Sequence, residues 1–78
     1  MIQDQELARE ISDLMRDITA RVDASVAFVQ GRCPHTEFVA YRRCAGRIMG
    51  VILVEVLNPL YQQHPHLKPP GFDEPYGN

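Results

Sequence analysis

Ile48-Met49-Gly50-Val51-Ile52-Leu53-Val54-Glu55-Val56-Leu57 is the stretch whose reading decides the fold. Wound as a helix, it points apolar side chains to nearly every side, more than one neighbouring helix can cover. Ile48, Met49, Ile52, Leu53 and Val56 continue a stripe begun by Phe38, Tyr41 and Ala45. Gly50, Val51 and Val54 fall behind that stripe. The stripe calls for a partner within the chain, and the residues behind it call for a second chain.

The partner within the chain lies upstream. From Asp4 to Gln30, Leu7, Ile11, Leu14, Met15, Ile18, Val22, Val26 and Val29 recur at three- and four-residue steps, the signature of a helix with one buried face. Asp4 is placed to cap its start and Gly31 to end it. Gly31-Arg32-Cys33-Pro34 is too short a link for anything but a tight reversal, and Pro34 suits the first turn of the next helix. The expected fold is therefore all-α, with an antiparallel helical hairpin of residues 4–30 and 35–57. Facing residues in such a hairpin carry numbers adding to about 65, which sets Val26 near Val39, Ile18 near Arg47 and Leu14 near Val51. Two hairpins joined as a two-fold dimer make a four-helix bundle, and this covers the residues left over. The expected dimer interface is Gly50, Val51 and Val54 with the small residues Ala20, Ala24 and Ala27 of the first helix.

Downstream, Asn58-Pro59 is expected to stop the long helix, with Asn58 capping a short helical turn over Leu60-Tyr61-Gln62-Gln63. From His64 the chain is rich in proline and glycine and reads as an extended tail. The organisation is thus a helical domain at 1–63 and a tail at 64–78. Leu67, Phe72 and Tyr76 are spaced along the tail as anchors for a protein partner or for the chain's own body.

Composition narrows the function. The net charge of −2 over 78 residues gives no global field for nucleic acid or an anionic membrane. The apolar run is about half the ~20 residues that span a bilayer, and the polar start lacks a secretory pattern. Cys33 and Cys44 lie about 15 Å apart by helix rise, too far for a disulfide. A cytoplasmic protein that meets neither membrane nor nucleic acid is expected.

Three clusters have chemistry worth weighing. Arg32, Arg42, Arg43 and Arg47 offer forked donors to an anion or an RNA backbone. The hairpin register supplies a simpler use for them, pairing Arg42 with Asp23 and Arg47 with Asp17. Cys33, His35, His64 and His66 are zinc-ligand types, but their spacing matches no zinc motif and one hairpin holds the pairs at opposite ends. Ser25 sits on the apolar stripe, where its hydroxyl would bond its own backbone, and Cys44 is expected at the edge of the packed face. No nucleophile–base pair, phosphate loop or cofactor motif is present, so the chain is not expected to be an enzyme or to need a cofactor. The expected role is a small homodimeric interaction or adaptor module. An anion- or RNA-binding hairpin dimer is the alternative, and metal binding through the Cys/His groups the next.

Overall fold

The structure, a computed structural model, describes residues 1–72. Among these the chain is all-helical, with no strand. Helix α1 spans Gln5–Val29. Asp4 caps it in extended geometry, its carboxylate accepting the Leu7 N–H at 2.9 Å, which satisfies one of the free amides of the first turn. At the other end the Gln30 N–H bonds the Val26 carbonyl and Gly31 takes a φ of 80°, a conformation that glycine adopts without a Cβ clash.

Helix α2 spans His35–Val51. Pro34 stands at its N-cap, one position earlier than expected, and its carbonyl accepts the Glu37 and Phe38 amides. The helix does not stop at Asn58-Pro59. A six-residue π-helical turn, Ile52–Leu57, carries it into α3, Asn58–Gln63. Asn58 is helical (φ −60°, ψ −50°), makes no side-chain cap, and its N–H reaches back five residues to Leu53. Proline lacks the N–H of a regular turn, and its ring collides with the carbonyl four residues back. A widened turn just upstream relieves that collision and lets the rod continue through Pro59.

The wide turn also sets the phase of the residues downstream. Phe38, Ala45 and Ile52 recur at seven-residue steps, but Leu60 comes eight after Ile52. The extra residue is absorbed in the π turn, and Leu57, Leu60, Tyr61 and His64 arrive buried.

Contacts between the long helices run in opposite senses along the chain. Tyr41 meets Ser25, and Tyr61 meets Ser12. Beyond the helix starts, the Met1 ammonium donates to Gln63 Oε1 at 2.7 Å, and His64 Nε2 donates to the Ile2 carbonyl at 2.6 Å. The tail opens with a 3₁₀ turn, Pro65–Leu67, where an extended course is expected. It then folds back, setting the Phe72 ring edge-on to Tyr61 at 4.9 Å.

The buried core comprises Ala8, Phe38, Ala45, Leu57, Leu60 and Tyr61, with Ser12 and His64 as its polar members. This is narrower than the apolar stripes suggest. Leu7 and Leu14 stay 48% exposed and Ile48 51%; Tyr41 and Leu53 are exposed as well. The reason lies in which residues stand at the contact line. Ala8, Ser12 and Ala45 are small, and small contact residues let helices approach closely. The larger side chains are thereby left on the flanks.

Candidate interaction surface

The pairing of Ser25 with Tyr41 fixes one long side of the molecule. Ser25 Oγ donates its single proton to the Val22 carbonyl at 2.5 Å, so it accepts from the Tyr41 hydroxyl at 2.6 Å. The backbone bond expected of Ser25 is thus present, and the phenol is an addition. At about 100° per residue, Leu7, Leu14 and Ile18 share the Ser25 side of α1, and Cys44, Ile48 and Val51 lie around the Tyr41 side of α2. This side carries Leu7, Leu14, Ile18, Ile48 and Val51, with Arg21 and Glu37 toward the connection end. Val51, 58% exposed, belongs to it.

The opposite side is a groove of about 700 Å³. It is lined by Arg16, Ala20 and Asp23 of α1, by Gly46, Met49 and Gly50 of α2, and by Leu53, Leu57 and Phe72 beyond. A Cβ added at Gly46 or Gly50 would meet no atom within 4 Å. Among the described residues, no packing neighbour therefore requires these positions to be glycine. Of the six expected interface positions, Gly50 and Ala20 line this groove, whereas Val51 lies on the other flank. Val54, Ala24 and Ala27 are exposed.

The arginines are handled differently from the register pairing. Among the described residues, neither Arg42 with Asp23 nor Arg47 with Asp17 forms an ion pair. The physical reason is exposure: in water such a pair gains little over hydration. Arg42 instead lies 5.3 Å over the Phe38 ring and Arg32 4.4 Å over Phe28, cation–π placements that still leave guanidinium edges to solvent. Arg43 and Arg47 are exposed one helical turn apart on α2.

The zinc-type residues do not gather. Cys33 and Cys44 are both free thiols, and Cys44 is exposed instead of sitting at a packed edge. Cys33 Sγ lies 3.8 Å from the Val29 carbonyl, and His35 packs its ring near Phe38. His64 and His66 stand with ring centroids 6.0 Å apart, but His64 is buried and spends Nε2 on Ile2. Among the described residues no group of three or more His, Cys, Asp or Glu side chains is placed to hold a metal. Of the tail anchors, Phe72 sits on its own chain and Leu67 is half-buried; Tyr76 lies outside the described residues.

Two polar contacts escape a reading by hydropathy. Ser12 Oγ and the Tyr61 hydroxyl meet at 2.5 Å in the core, and His64 ties down Ile2. The signal for the first is a polar residue four after Ala8 and three before Met15, an inward step filled by a hydroxyl. Every buried side-chain polar atom among the described residues has a partner, as a stable interior requires.

The continuous rod His35–Gln63 has 29 residues and a mean hydropathy of 1.3 in its most apolar window, of which 22% is buried. It is therefore long and apolar enough to cross a membrane, contrary to the length estimated from Ile48–Leu57 alone. Core helices of soluble proteins meet the same measure. Compared with known proteins, the chain matches no family model, no curated sequence and no solved structure.

Proposed function

We propose that this protein is a small homodimeric helical module for protein interaction, working in the cytoplasm. In this reading α1 and the α2–α3 rod act as an antiparallel hairpin, and two hairpins close a four-helix bundle. The observation that carries it is the apolar side formed by Leu7, Leu14, Ile48 and Val51, each about half exposed. Contiguous exposed apolar surface of this kind marks an interaction site. The molecule measures 45 × 28 × 16 Å, and its broad side exceeds the roughly 800 Å² per partner that a standard interface buries. The groove side is the weaker choice, because Phe72 of the chain's own tail already lines it.

Sedimentation equilibrium at micromolar concentration is expected to give twice the chain mass of 8.9 kDa. Ile48→Asp is expected to return the mass to that of one chain while the helical circular dichroism stays. Wild-type protein that is monomeric and folded removes the proposal. Flotation of the wild type with lipid vesicles would replace it with a membrane role for the His35–Gln63 rod.

A further inference from the structure

Charge is divided between the two ends of the molecule. Residues 4–17 carry Asp4, Glu6, Glu10, Asp13 and Asp17 against Arg9 and Arg16, a net of −3. Residues 32–47 carry Arg32, Arg42, Arg43 and Arg47 against Glu37, a net of +3. Contacts of Ile2 with His64 and of Ser25 with Tyr41 put the acidic segment in the half of the molecule where the chain starts, with Asp17 reaching its middle. Glu55 adds to it there, while the Met1 ammonium and Lys68 at the same end offset part of it and leave the sign negative. Arg32 stands at the other end beside Gly31–Pro34, Arg42 and Arg43 lie in the half of the rod nearest it, and Arg47 lies close to the middle. None of the four arginines is neutralised by an ion pair among the described residues.

We infer that a second copy of this chain covers the Leu7–Val51 side end-opposed, the Gly31–Pro34 connection of each copy lying over the acidic end of the other. This rests on the dimer reading above and adds the direction of the partner. A two-fold dimer face to face has two arrangements. With like ends together, arginines crowd arginines at one end and carboxylates crowd carboxylates at the other. With ends opposed, both ends pair opposite signs. Neighbouring helices of a bundle lie about 8–10 Å apart, comparable to the screening length of about 8 Å at physiological salt, so the charges that flank the apolar side are incompletely screened from the partner copy.

The apolar contacts survive the reversal. Leu14 and Ile18 lie near the middle of α1, and Ile48 and Val51 near the middle of the α2–α3 rod. Turning one copy end for end leaves the middle over the middle, so these residues bury one another in either direction. The apolar side therefore supplies attraction without direction, and the charge division supplies direction.

The chain carries its own reporter. A nitroxide on Cys33, with Cys44→Ser, places one label beside the connection in each copy, and pulsed dipolar spectroscopy reads their separation. Ends opposed, the separation approaches the 45 Å length of the molecule. Ends together, it falls to about 20 Å or less, two interaxial spacings, and that result overturns the orientation while keeping the dimer. Loss of the intermolecular signal, with a single-chain mass, removes the dimer itself. Because Cys33 is half-buried, the measurement is repeated with the label on exposed position 30, Gln30→Cys in a Cys33→Ser, Cys44→Ser background, and the same two distances decide it.

Discussion

The end of the molecule that gathers Ile2, Ser12, Leu57, Leu60, Tyr61 and His64 is finished, and the middle is not. At the finished end Leu60 is fully buried and Tyr61 2% exposed, with the phenol and the imidazole both hydrogen-bonded. Around the middle, Ile48, Val51 and Leu14 stand half in solvent, although they come from the more apolar sequence. Burial here follows geometry more than hydropathy. The π turn sets the phase at which Leu57, Leu60, Tyr61 and His64 arrive buried, Tyr61 on Ser12 and His64 on Ile2, whereas around Ala45 the larger neighbours are left on the flanks. One chain completes one end of its core, and the surface it leaves open is where association has most to gain.

The largest effect should come from disturbing the phase that separates the two regions. Inserting one alanine after Gly50 turns everything downstream by about 100° and should abolish cooperative unfolding followed by circular dichroism. Removing Val54 together with Pro59→Ala should be tolerated by contrast. It deletes the extra residue of the wide turn and leaves Leu60 seven after Ile52, on the same side. If both variants fold equally well, the π turn does not set the phase.

Next in size is Leu60→Ala, expected to cost about 2–5 kcal/mol as a core truncation, a large part of the stability of so small a domain. The matching change in the middle, Leu53→Ala, should cost under about 1 kcal/mol, in line with surface positions. Urea titration of both would show equal losses if the comparison were wrong. Tyr61→Phe is smaller, about 1–3 kcal/mol, because it strands the Ser12 hydroxyl in the core; Ser12→Ala combined with it should recover much of the loss. Smallest is Gly46→Ala. With no atom of the described residues within 4 Å of the added methyl, it should stabilise the helix by up to about 1 kcal/mol. A destabilisation that deepens with protein concentration would put a second chain in the groove and overturn the proposed Leu7–Val51 interface.

The parts of this fold that are legible in the sequence are those set by local chemistry. Asp4, Gly31 and the three-and-four spacing of α1 mark its limits to within a residue. Pro34 misses by one position. The course through Asn58-Pro59 is not legible, because a proline reads as a stop unless the turn before it widens, and a π turn leaves no residue signature. The contact line is not legible either. Ala8, Ser12 and Ala45 win their places by being small, which a hydropathy stripe cannot register. For the candidate surface, the angular positions of Val51 and Val54 already mark them as exposed. Leu7, Leu14 and Ile48 read as covered, since nothing in their type reveals how closely the backbones approach. The arginine–aspartate pairs follow from register alone, and register says nothing about whether an exposed pair outcompetes water.

The tie between His64 and Ile2 has a kinetic consequence. It links residues 62 apart, against 16 for Ser25 with Tyr41. By loop-closure scaling the longer link costs about 1 kcal/mol more in chain entropy if closed first. Closing the connection end first removes that difference, since each further turn then adds only a short loop. On that order of closure the best-packed part of the molecule would assemble last, and a folding rate insensitive to Leu60→Ala would be its mark.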